Sequence, residues 1–311
     1  MEQNTPEPVT ESNYRARLAA RANAPRVLDW GRTVTVVEYP TLDAAVANAR
    51  AGRDYMLPGP RAAWDQYLTD HPGEKWHGGV QDAAAWDRVV SKPPRKLADR
   101  VRECMDALEA VPLPLHEAPR RRTMRNLDEG DALDAVRMVE DFNLDRAWSE
   151  RRRSTRPRPA LRIVLNSGMN CNLDEHALAW RGAAALAIAR RAEDAGADVE
   201  LLAAVNWTRC ARDAERDIVA SWPLKAMGAY ADRDTLTAYC CHFAAFRWFA
   251  WILMAQNMPG HKVCAAWGSM RPLASVVPHL RADIVVDYDV ITKDRAIGMM
   301  HRAAQIVEER R

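Results

Sequence analysis

Between Leu161 and Val205 the chain alternates apolar runs with polar punctuation in an order that few folds accommodate. Leu161 to Leu165 is a short run containing Ile and Val, which suits a buried strand. Asn166-Ser167-Gly168-Met169-Asn170-Cys171-Asn172 follows, a turn built from small and amide side chains. Asn172 is the expected N-cap of the next segment, with Asp174 and Glu175 in a first turn that favours negative charge. Gly196 supplies the C-cap, and Val199–Val205 the next strand. The unit is strand, loop, helix, strand: one crossover of an α/β layer fold. Ligands of such sheets bind beyond the carboxyl ends of the strands, where this polar loop lies.

Elsewhere the pattern is more broken. Residues 1–25 read as a loose arm with a short helix near Tyr14–Arg21. Thr33–Tyr39 alternates β-branched residues like a strand, Leu42–Arg50 is a short helix, and another helix is expected near Ala62–Leu68. Trp76-His77-Gly78-Gly79 is a compact aromatic–glycine turn. Helices are predicted over 81–90, 95–110 and 131–141; the second carries Leu97, Val101, Met105 and Leu108 on one stripe. The sequence ERRRSTRPRP at Glu150–Pro159 is charged, contains two prolines and no apolar residue, and marks the expected boundary. That gives a mainly helical region with one or two strands over 26–149, a linker over 150–159 and an α/β domain over 160–309, a division that 311 residues easily accommodate. Within the last part, Asp217–Pro223 is expected as an antiparallel neighbour of the preceding strand. A long helix over Asp234–Gln256, a weak strand at Lys262–Trp267, a clear strand at Asp283–Tyr288 and a closing amphipathic helix from Thr292 to Glu309 complete it.

The helix at Asp234–Gln256 is apolar enough to suggest a membrane span. His242 and Arg247 argue against one, because an arginine at the centre of a span costs about 2.5–3.5 kcal/mol on insertion scales. A buried central helix has the same composition. The N-terminus MEQNTPEPVTESN has no apolar secretory core, and six cysteines without repeated pair spacing read as reduced thiols, so a cytoplasmic location is expected.

Several residues are candidates for a site. Arg181 falls on the inward stripe of its helix with Ala177, Ala184, Ile188 and Ala192, beside Gly182, which lets a neighbouring backbone come close. A guanidinium there either shapes a polar pocket at the strand ends or forms a structural ion pair. Asp287 and Asp289 leave the last expected strand two residues apart, so they project to the same side if the strand continues. They suit a weakly held Mg or Mn ion, acid–base work, pairing with Arg181 or Arg247, or capping of the helix after Thr292. His242 and Arg247 lie about 140° apart on one helix and form no dyad. His176 is one turn into the first helix, close enough to the loop to act as a ligand.

A net charge of +2 does not describe a chain whose whole surface grips nucleic acid. The clusters Arg120, Arg121, Arg122, Arg125 and Arg151, Arg152, Arg153 are the features that would meet a polyanion. Without interleaved aromatics they also fit exposed basic linkers. No zinc spacing, phosphate loop, nucleophile elbow or dinucleotide fingerprint is present, so no catalytic residue is assigned.

The order RIVLNSGMN, ALAWRGAAALAIARRAEDAGADVEL and HFAAFRWFAW resembles an uncharacterised family widespread in tailed-phage genomes. The C-terminal half of that family is similar to a degenerate von Willebrand factor A module. The resemblance covers about 76–309, through Trp76-His77-Gly78-Gly79, Arg181-Gly182, His242 and Arg247. It implies a three-layer Rossmann-like sheet with flanking helices. Intact modules hold a divalent ion in an Asp-x-Ser-x-Ser loop; this chain has Asn166, Gly168 and Asn170 at those places, so cation affinity should fall. The expected function is a non-enzymatic phage or prophage protein that binds a protein partner through Asn166, Ser167, Asn170, Arg181 and Asp287, with no cofactor or only that weak ion. Two alternatives stand beside it: a metal-assisted phosphoester or nucleic-acid hydrolase using Asp287 and Asp289, and an architectural DNA-binding protein using the arginine clusters.

Overall fold

The computed structural model describes residues 24–30, 34–51, 80, 83–113, 123–127, 132–133, 148–151, 158–168, 173–211, 214–229, 232–250, 253 and 272–310. Its strands are β1 (Arg26–Trp30), β2 (Val34–Glu38), β3 (Thr123–Leu127), β4 (Ala132–Leu133), β5 (Trp148–Arg151), β6 (Ala160–Asn166), β7 (Asp198–Ala211), β8 (Ala214–Lys225) and β9 (Ile284–Val286). The helices are α1 (Leu42–Ala51), α2 (Ala83–Ser91), α3 (Arg95–Glu109), α4 (Glu175–Asp194), α5 (Arg233–Cys241), the single turn α6 (Val277–Leu280) and α7 (Lys293–Glu309).

Six strands form one mixed sheet in the order β1-β2-β8-β7-β6-β9. β6 is parallel to both β7 and β9; β6 and β9 end level with each other, while β7 runs on to Ala211, past Ala204, the partner of Asn166. β7 turns back into β8 as an antiparallel pair, and β2 runs parallel to β8. A separate three-stranded sheet, β3-β5-β4, is antiparallel.

The apolar run of β6 is explained by its place in the sheet. Leu161, Ile163 and Leu165 face one side and Val164 the other, and all are fully buried. On the first side they join the main core with Val199, Leu201, Trp222 and side chains of every helix except α6. On the second side Val36, Val164, Leu202, Ala204 and Val219 meet Leu273, Val276 and Leu280, the last within α6. Among the described residues, then, the long helices lie on one face and a short segment on the other.

α4 is the central helix, packed against α3, α5, α7 and the sheet. Its alanines are buried nearly all round, which is why it carries no strong amphipathic stripe. Asp174, not the expected Asn172, caps it: the Asp174 carboxylate accepts from Ala177 N at 2.9 Å. Gly196, at φ 92°, follows the helix in the left-handed region that favours glycine.

Two expectations change. The helix expected over 234–256 stops at Cys241, and a π-helical turn follows at Ala245–Ala250. The break has a local cause: His242 leaves helical geometry and its Nδ1 accepts from Ala244 N at 3.1 Å, a side-chain bond that competes with the helix ladder. The helix expected over 131–141 instead begins with β4, paired to β5. Residues on both sides of the expected 150–159 linker share one sheet and one core, since β2 pairs with β8 and α3 packs on α4. The expected features at Tyr14–Arg21, Ala62–Leu68, Trp76–Gly79 and Lys262–Trp267 lie outside the described residues.

Candidate functional site at the carboxyl edge of the sheet

Two neighbouring strands end in groups that find each other. β6 finishes at Asn166 and β9 is followed at once by Asp287; Asn166 Nδ2 donates to Asp287 Oδ1 at 2.7 Å. The same carboxylate accepts from Leu273 N at 2.9 Å and Tyr288 N at 2.7 Å. Asn166 Oδ1 in turn accepts from Gly168 N at 2.9 Å, turning the chain immediately after the strand. Ser167 N donates to Ala204 O at 2.8 Å, extending the ladder one residue beyond the strand.

A third side chain completes the arrangement. Asn206 in β7 lies two positions beyond Ala204, the partner of Asn166, and therefore on the same sheet face. Its Nδ2 donates to Pro272 O at 3.2 Å. Asn166, Asn206 and Asp287 thus gather about the 272–273 backbone, at the ends of β6 and β9 and alongside the middle of β7. Charge-assisted bonds of this kind are among the stronger ones. Nothing in the sequence pairs Asn206 with the other two; the only signal is an amide interrupting the apolar run LLAAV of β7.

Arg181 approaches from the helical side. It is fully buried, and Nε, Nη1 and Nη2 have no hydrogen-bond partner among the described residues. Burial draws its pKa down to about 10, while the attraction of Asp287 and then of Cys241 acts the other way. Asp287 is the group common to both features: it holds the amide clamp and is felt by the guanidinium. Beside Arg181, a Cβ on Gly182 would lie 2.2 Å from Cys241 Sγ and 2.7 Å from Cys240 O, so α4 and α5 meet at a distance only glycine allows.

The family model described as Domain of unknown function (DUF7192) matches residues 25–294. The chain belongs to this family. The match runs from the residue before β1 into the first turn of α7, so the DUF7192 region contains all six strands of the large sheet, the amide clamp and Arg181. Neither the curated proteins nor the solved structures give a match.

The other expected site residues of the DUF7192 domain are scattered. Asp289 is exposed and pairs with Arg295 at 3.6 Å, apart from the bonds that Asp287 makes. His242 is buried against Trp86, and burial pushes its pKa down to about 4. His176 is exposed, its Nε2 accepting from Trp180 Nε1 at 2.9 Å. The backbone of Arg247 lies in the π-helical turn and that of Arg151 in β5. Asn170, Arg120, Arg121, Arg122, Arg152 and Arg153 lie outside the described residues. Among the described residues no three His, Cys, Asp or Glu side chains gather as a metal site, and no helix is long and apolar enough to cross a membrane. Cys104, Cys240 and Cys241 are buried free thiols, with burial raising the pKa of each.

Proposed function

We propose that this chain is a non-enzymatic recognition protein of phage or prophage origin, working in the host cytoplasm. It binds a protein partner through the loops at the carboxyl edge of β6, β7 and β9. The observation that carries the reading is the Asp287 carboxylate. It receives Asn166 Nδ2, Leu273 N and Tyr288 N together, so Asn166, Leu273 and Tyr288 are tied to one another before any partner arrives. Loops held this way lose little freedom on binding, which favours affinity. Exposed Tyr288 and Asp289 sit directly on the clamp and offer the aromatic and charged contacts that interfaces use.

The β8-β7-β6-β9 order, with β8 antiparallel, supports a degenerate von Willebrand A-like arrangement in which β6 and β9 flank the ligand face. A divalent ion is optional in this reading, because the carboxylate that would hold it already accepts three N–H groups.

The test compares affinity capture by the full chain and by a Tyr288→Ala/Asp289→Ala variant of equal melting temperature, using lysate from the cells that make the protein. At least one protein retained by the native chain should be depleted about tenfold or more on the variant, a loss of about 1.4 kcal/mol. Identical retained sets would sink the reading. A melting shift with magnesium or manganese that vanishes in Asp287→Ala would turn it toward metal chemistry, and salt-dependent retention on heparin toward a polyanion.

A further inference from the structure

Arg181 lies about two turns into α4, with none of its surface reaching solvent. A guanidinium presents five N–H donors in a planar fork and stays charged at neutral pH, here too even after burial has lowered its pKa. No acceptor meets Nε, Nη1 or Nη2 among the described residues. An unpaired buried cation is strongly unfavourable, and a fold that keeps one needs a counterpart for it. Asp287 supplies attraction without a bond, its carboxylate being engaged by Asn166, Leu273 and Tyr288.

A second group is idle on the same side. The Ser167 hydroxyl is buried and makes no hydrogen bond among the described residues. Leu161, Ile163 and Leu165 pack in the core with α4, and position 167 continues their alternation toward that helix. A fork of donors and a hydroxyl, both enclosed and both unused, therefore lie between α4 and the carboxyl end of β6. The complement of a planar donor fork is an oxyanion, carboxylate or phosphate, bound through two parallel N–H···O bonds.

We propose that Arg181 anchors an internal oxyanion site, where the guanidinium and the Ser167 hydroxyl hold the carboxylate or phosphate group of a small molecule against the end of β6. Complete enclosure fits a small molecule and not a macromolecular surface. The site lies under the partner-binding loops but is tested at other residues: Tyr288 and Asp289 variants keep Arg181 and Ser167, so either proposal can fail alone.

The full chain, dialysed into chloride buffer, is titrated with sodium phosphate and separately with sodium acetate at constant ionic strength while its melting temperature is followed. A saturable rise of several degrees is expected with at least one anion, and the anion that produces it names the group. Arg181→Met should be at least as stable as the native chain in chloride, since an apolar chain replaces an unpaired charge, and should show no rise. Arg181→Lys should respond with half-saturation about tenfold higher, having lost the fork but kept the charge. Ser167→Ala should respond more weakly than the native chain. No response from the native chain overturns the proposal. So does an equal response in Arg181→Met, which means an adventitious ion only. Arg181→Met that is clearly less stable in chloride, or unable to fold, shows a guanidinium satisfied within the protein and overturns it too. An unchanged half-saturation in Arg181→Lys has the same force.

Discussion

Half-buried Asp287 and buried His242 sit in opposite electrostatic settings, and each can be tested by a single change. Asp287→Ala leaves three donors without their acceptor and removes the larger of the two attractions that steady Arg181 among the described residues. The expected cost is about 3 kcal/mol, read as a fall in the urea midpoint. A loss below about 0.5 kcal/mol would mean that the clamp does not hold the strand ends. His242 is kept neutral. Its pKa is about 4 in the fold against an ordinary 6.5, so the unfolded chain binds the proton first as pH falls. Stability tied to the neutral ring is complete above 6.5 and lost progressively as pH drops toward 4. That loss is at most about 3 kcal/mol. Denaturation curves across this window should be flatter in His242→Gln than in the native chain; parallel pH profiles would place the histidine in a solvated setting.

At the scale of elements, the α4–α5 crossing is the tightest constraint. Gly182→Ala places a methyl group on Cys241 Sγ and the Cys240 carbonyl, and packed helices must part to admit it. A destabilisation of about 3 kcal/mol is expected by thermal or urea unfolding. Cys241→Ala should rescue it only in part, because the Cys240 carbonyl remains. An unchanged melting temperature in Gly182→Ala would show that the two helices are not in contact. This crossing was readable in outline, since Arg181-Gly182 on an alanine-rich helix signals close approach. β6, α4, the β7–β8 pair and α7 were readable for a similar reason: their turns and caps are local. The end of α5 was not. Residues 234–256 are mostly apolar, and what stops the helix is His242, whose Nδ1 takes the N–H of Ala244 while its ring packs on Trp86 of α2. Asn172 and Asp174 are both good caps, and it is the Asp174 carboxylate that meets Ala177 N. Half of the amide clamp was visible as strand-end polar residues. Asn206 was missed because its role depends on Pro272, far away in the chain.

For the whole molecule, the arginine-rich stretch looked like a divide, yet composition says nothing about which strands pair across it. β2 forms the outer neighbour of β8, and α3 covers α4. The helices tie the two halves further: Arg190 meets Glu109 at 2.6 Å and Arg100 meets Glu175 at 3.2 Å, although such exposed pairs add little stability. A fragment spanning 160–311 should therefore lack a cooperative unfolding transition, with β8 left as an open edge and α4 stripped of one side. The intact chain should unfold in a single step by circular dichroism. A fragment that melts as sharply as the whole would show that the N-terminal helices are accessories.

The pairing of β2 with β8 also bears on how the protein is made. The roughly 180 residues between Glu38 and Asp217 take on the order of 10 to 40 s to synthesise at 5–20 residues per second. Throughout that interval the valines of β2 have emerged from the ribosome with β1 as their sole sheet neighbour. The nascent chain must shelter an unfinished edge until its centre arrives, which makes the rate of translation and the supply of chaperones part of the yield of folded protein.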